Sequence, residues 1–220
     1  MNRLNVSLFI VALLLVIPAQ ARKLLPVDEA AKDPSFLAFR EQLLAAVRSR
    51  SLDGVLSLTA PDIQNSFGGD DGVENFLKIW RPQAPDSQLW STLEEILTMG
   101  GRFSQDRQEF WAPYVFSAFP DKLDPFQHLA ITGKQVEVRV GPRMSAPVMA
   151  TLSYEVVKLA EFKAVVEETP KGPHRWLKII TPQGKVGYVA AKQTRRPLDY
   201  RAGFRKMDGR WVMAVLVAGD

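Results

Sequence analysis

The sequence predicts an α+β protein: an α-rich unit over residues 22–127, a small β-barrel over 128–197 and a C-terminal β-hairpin over 198–220, behind a leader at 1–21. Three observations predict it. Through the first half, apolar residues recur at three- and four-residue intervals; from about His128 they recur at every second residue, so the period passes from helix to strand. Short apolar runs then follow closely, parted by Gly- and Pro-containing turns, as in a small barrel or sandwich. At the end, two such runs flank Met207-Asp208-Gly209, and Asp-Gly favours a tight hairpin turn.

In the leader, Arg3 and the amino terminus carry positive charge, residues 6–17 are almost wholly apolar, and Ala19-Gln20-Ala21 sets small residues around Gln20. That order is the order of a secretory signal cleaved near Ala21. As a helix the apolar run spans about 18 Å, short of a ~30 Å hydrocarbon core. A periplasmic or secreted chain is expected, with no stable membrane span after cleavage.

The chain has no cysteine, which excludes disulfides, thiolate metal sites, Cys nucleophiles and a lipoprotein anchor. Stability therefore rests on packed cores. A hydrophobic content of 46% with 24% charged residues is that of a folded protein. The formal charge of +4 is mild, and the Lys and Arg residues are scattered, so no nucleic-acid partner is expected.

Residues 22–34 read as a linker-like lead. Asp33-Pro34-Ser35 starts a helix whose apolar face is Phe36, Phe39, Leu43, Leu44 and Val47, running to about Arg50. A short helix over 52–58 ends at Ala60-Pro61, residues 63–67 read as a short strand or extended segment, and 68–72 as a flexible turn. Val73, Phe76, Leu77 and Trp80 mark a helix stopped by Pro82 and Pro85. Leu89, Trp90, Leu93, Ile96 and Leu97 mark another, closed by Gly100-Gly101. Residues 102–125 are aromatic and irregular, reading as core and inter-unit seam. Strands are expected at 129–132, 136–140, 148–152, 156–159, 162–168, 176–180 and 186–190, with a loop at 170–173 and a turn at 182–185. The final strands span 200–206 and 210–218. Residues 211–217 are apolar on both faces, so both need cover. A lone hairpin is not stable in water. It is expected to fold back onto the helical half and supply its sheet, making the barrel an insertion.

Four stretches occur in a telling order: Val138-Arg139-Val140-Gly141-Pro142, Val148-Met149-Ala150-Thr151-Leu152, Trp176-Leu177-Lys178-Ile179 and Gly187-Tyr188-Val189. Across 129–191 they resemble bacterial SH3 domains, which carry an Asn-Val-Arg-x-Gly-Pro core, a Val-x-x-Leu strand, a Trp-x-Lys-Val strand and a Gly-Trp/Tyr-Val strand. Two departures stand out. Glu137 replaces the usual Asn, and Tyr154-Glu155 replaces a common Lys-Gly turn. The resemblance implies an SH3-like barrel and recognition rather than chemistry, since such domains bind cell-wall peptides or accompany wall-active enzymes. The helical half with the final hairpin is similar in pattern to the α+β roll of nuclear-transport-factor-like folds.

The candidate binding residues are Arg139, Arg143, Tyr188 and Trp176. Arg139 and Arg143 flank the Gly-Pro turn, and Arg suits bidentate grip on a peptide carboxylate; a surface charge or an internal ion pair is the plainer reading. Tyr188 follows a glycine late in the barrel, and Trp176 would fill it. His128 and His174 lack the spacing of metal ligands or a catalytic pair, and the 68–72 loop lacks the alternating carboxylates of a calcium loop. Glu94-Glu95 and Glu167-Glu168 read as solvated charge rather than acid/base pairs, and the five tryptophans as core. No catalytic residue, metal or cofactor is expected. The expected function is an exported, non-catalytic SH3-like binding protein recognising a peptide, peptidoglycan or envelope protein partner. The alternatives are a cell-wall-active enzyme with its site in the helical half and the barrel as targeting module, and a structural adaptor.

Overall fold

The computed structural model describes residues 22–219, so the leader read at 1–21 lies outside the described residues. The chain is mixed α+β. Among the described residues no helix is long and apolar enough to cross a membrane.

The first half holds a 3-10 turn (Ala30–Lys32), α1 (Pro34–Arg48), α2 (Leu52–Ser57), β1 (Thr59–Gln64), α3 (Val73–Trp80), α4 (Leu89–Thr98), β2 (Arg102–Phe103), β3 (Glu109–Ala112) and α5 (Tyr114–Ser117). Helix α1 starts where its chemistry says it should. Asp33 accepts from the Ser35 and Phe36 amides at 2.8 and 3.2 Å, and Pro34 occupies the first position, where no N–H partner is needed. Its buried face is Phe36, Phe39, Leu43 and Val47.

The chain closes with β12 (Arg201–Met207) and β13 (Arg210–Val217). Asp208 and Gly209 join them with φ of 49° and 77°, the two left-handed residues a tight hairpin requires. The hairpin completes a five-stranded sheet in the order β1-β13-β12-β3-β2, with β1 and β13 parallel. β13 is thus paired on both edges. Phe36 sits at the centre of the core, with the rings of Phe39, Phe103, Phe110, Phe204 and Trp211 at 4.2–5.8 Å.

Between the halves run β4 (His128–Ile131), β5 (Val136–Arg139), β6 (Val148–Leu152), β7 (Val156–Leu159), β8 (Val165–Thr169), β9 (Gly172–Ile180), β10 (Val186–Ala190), a 3-10 turn (Ala191–Gln193) and β11 (Thr194–Arg195). They form an eight-stranded sheet in the order β11-β4-β7-β9-β10-β5-β6, with β8 also on β9. Its own core is Leu129, Ile131, Val136, Val138, Leu152, Val157, Leu159, Ile179 and Val189.

Several expectations need correction. The strands do not close into a barrel: the path is open, and among the described residues no ladder joins β6 to β11. β1 begins at Thr59 rather than near Ile63 and contains Pro61. As an edge strand paired on one side only, it tolerates the missing N–H. Residues 102–125 are not all irregular, for β2, β3 and α5 lie there; runs of two to four residues are too short for periodicity to register. The loop expected at 170–173 is the tip of the β8–β9 hairpin, with Pro173 paired opposite Glu168. The lead is no mere linker. Leu24 N–H donates to the Tyr154 carbonyl at 2.7 Å, and Val156 N–H to the Arg22 carbonyl at 2.8 Å. Leu24 joins Tyr114, Val115, Ala130 and Val156 in a third buried cluster.

Candidate functional site

Strand alternation decides which side chains share a face. Tyr188 pairs with Lys178 on one side and with Arg139 on the other. Leu177, Ile179, Val189 and Val138 point into the core. Arg139, Tyr188 and Trp176 therefore share the outer face of the β5-β10-β9 portion of the sheet.

On that face Trp176 is the floor of a groove of about 230 Å³, walled by Glu137, Arg139, Met144, His174, Ala190, Lys192 and Gln193. Trp176 is 2% exposed. Its indole N–H donates to Glu167 at 3.0 Å, and the His174 ring packs on it at 4.7 Å. The Nε2 atom of His174 is buried without a hydrogen-bond partner among the described residues. Glu167 also accepts from the Met144 amide at 3.0 and 3.1 Å, which ties the loop 141–147 across the face.

The two arginines differ in role. Arg139 has a side chain 14% exposed; it donates to the Ala146 carbonyl at 2.6 Å and pairs with Glu137. Both terminal nitrogens are engaged, so this residue braces the loop. Arg143 is exposed at the tip of that loop, and its guanidinium has no partner among the described residues. Tyr188 is half-buried beside the groove, with Lys178 Nζ 6.0 Å from its ring centre. Lys178 donates to Glu161 at 2.5 Å, and that carboxylate holds its pKa above the usual lysine range.

The remaining candidates are structural in their contacts. His128 Nδ1 lies 2.9 Å from the Asp124 carbonyl. Asn65 pins the 68–72 loop by donating to the Asp70 and Gly72 carbonyls at 2.8 and 2.9 Å. Glu94 pairs with Arg48 at 2.9 Å, and Glu95 with Arg195. Trp80, Trp90 and Trp211 are buried, whereas Trp111 is only partly so. Among the described residues no group of His, Asp and Glu is placed to hold a metal ion.

Sequence reasoning did not assemble His174, Glu167, Lys192 and Gln193 into this site. Extending β9 back to Gly172 puts His174 on the Trp176 face by alternation; Lys192 and Gln193 give no such signal. Chemically, the groove offers an aromatic floor, a thioether rim and one exposed cation, Lys192, while Arg143 is exposed on the adjoining 141–147 loop; together these suit an extended segment bearing a carboxylate. Searches against protein-family models, curated proteins and solved structures find no match for this chain.

Proposed function

We propose that the chain is an exported, non-catalytic binding protein of the bacterial cell envelope. It holds a peptide, either free, within peptidoglycan or on an envelope protein, in the groove over Trp176. The observation that carries this reading is the division of labour between two arginines. Arg139 is consumed in bracing the loop, while Arg143, on the same loop, is presented to solvent without a partner among the described residues. Recognition by a rigid scaffold that displays uncommitted cations is the expected form of peptide-carboxylate capture.

An SH3-like identity for the inserted sheet is supported by where its motif stretches fall: on β5, β6, β9 and β10, which are paired in the order β9-β10-β5-β6. A nuclear-transport-factor-like identity for the other unit is supported by the final hairpin lying between β1 and β3. Export is supported by the charge, apolar run and small residues of the leader.

The test is co-sedimentation of the full mature chain with purified peptidoglycan sacculi, and with a soluble stem peptide. Arg143→Glu is expected to lower recovery about tenfold by reversing the charge at the rim, and Tyr188→Ala severalfold. Equal recovery of the parent chain and both variants would remove the groove from ligand binding.

A further inference from the structure

The outer face of the five-stranded sheet carries a depression that the peptide groove, on the other sheet, does not involve. One row across the face is Trp111, Gly203, Val215 and Gln64; in the next, Glu109 stands beside Arg205. A Cβ at Gly203 would lie 2.8, 2.9 and 3.1 Å from three atoms of the Trp111 six-membered ring. Near-equal distances mean that the ring lies flat over the β12 backbone, in space that only a glycine leaves open. The indole N–H donates to Glu109 Oε2 at 2.9 Å, which fixes its orientation, and Phe116 packs beside it at 5.4 Å. Yet Trp111 stays partly exposed.

Beside this ring is a space of about 350 Å³ rimmed by Asp62, Gln64, Asp71, Glu109 and Arg205. Arg205 holds Asp62 through two contacts, at 2.9 and 3.1 Å. Asp71 comes from the glycine-rich 68–72 loop, which Asn65 holds in place.

We infer that this depression binds an uncharged pyranose ring of a glycan chain. A fixed indole offers an apolar face to the C–H side of a sugar. Planar amide, carboxylate and guanidinium groups around it match vicinal hydroxyls, donor to acceptor. The space lies within the ~300–1,000 Å³ range of small-molecule sites. Three carboxylates against one arginine at the rim disfavour an acidic sugar. The inference does not depend on the peptide reading, since the two sites share no residue and lie on different sheets.

The experiment titrates the full mature chain with chitotriose and with cellotriose, two uncharged pyranose chains of different origin. The readouts are two NMR signals: the Trp111 indole N–H, assigned by its loss in Trp111→Phe, and the backbone amide of Gly203 under the ring, which persists in every variant. A saturable shift with at least one of them is expected at millimolar sugar, with a galacturonate trimer about tenfold weaker. Gln64→Ala, which removes one rim amide, is expected to weaken binding about threefold, and Trp111→Ala about tenfold. Tyr188→Ala in the peptide groove leaves the sugar titration unchanged. Absence of a saturable shift up to about 20 mM of both sugars overturns the inference. So does a shift that Gln64→Ala and Trp111→Ala leave intact, or a Trp111-dependent dimer in sedimentation velocity, which would give this face to a second copy instead.

Discussion

The carboxylate of Asp33 accepts from the Ser35 hydroxyl and from the Ser35 and Phe36 amides, and lies 3.2 Å from Lys206 Nζ. These bonds, the Ser35 hydroxyl first, lower its pKa from 3.8 to about 2. A folded-state pKa below the unfolded one stabilises the fold fully above the unfolded value. That contribution is lost as pH falls from 3.8 through about 2. Asp33→Asn keeps an oxygen for the cap but cannot titrate, so its stability profile over that window is expected to be flatter than the parent's. Asp33→Ala is expected to cost about 1 kcal/mol at neutral pH. Urea unfolding at a series of pH values measures both, and parallel acid limbs for parent and Asn variant would contradict the assignment. Tyr114 is the opposite kind of residue. Burial pushes its phenol up to about 12, and the hydroxyl has no hydrogen-bond partner among the described residues. Tyr114→Phe is therefore expected to be neutral or stabilising by up to about 1 kcal/mol. A clear loss in melting temperature would show that the hydroxyl is bonded after all.

Among elements, the final hairpin was the most legible in the sequence. Asp208-Gly209 names its own turn, because both positions need left-handed backbone, and the two apolar faces of β13 require neighbours on each side. Gly209→Ala is expected to cost about 1 kcal/mol in thermal or urea unfolding, since φ is 77° there; no loss would mean that the turn relaxes freely. Trp176 was expected to fill the barrel; instead the pairing of β9, β10 and β5 puts it on the face of Arg139 and Tyr188, opposite the core side chains Ile179, Val189 and Val138. Other features were hidden for physical reasons. β1 carries a proline that sequence rules treat as a breaker, and β2 and β3 are shorter than any period. That Arg139 is occupied depends on how the 141–147 loop folds back to offer the Ala146 carbonyl, a loop closure that leaves no mark in the strand period. The 3-10 turn that brings Lys192 to the groove is likewise set by the crossing of β10 into β11.

At the scale of the molecule, three buried clusters share the work, and the smallest lies where the lead, α5, β4 and β7 meet. Arg195 adds a polar clasp nearby: its side chain is 6% exposed, pairs with Glu95 on α4, and donates to the Tyr200 carbonyl. Because Glu95 is 56% exposed and stays hydrated when unpaired, Arg195→Ala is expected to cost only about 1–2 kcal/mol, measured by urea unfolding. A chain ending at residue 197 is expected to lose most of its helical circular dichroism, because α1 and α4 would have no sheet to cover. Retained helix in that truncation would show that the first unit stands without β12 and β13. The pairing of Ala112 with Ala202 has one more consequence. The chain leaves the first sheet and re-enters it at directly opposed residues, so the middle sheet is complete before the strands that finish the outer unit are made. During synthesis the early helices must wait with their apolar faces uncovered until the final hairpin emerges. Among the described elements, the helices of the first unit are thus the last to find their cover, and until then they are the surface a chaperone would shield.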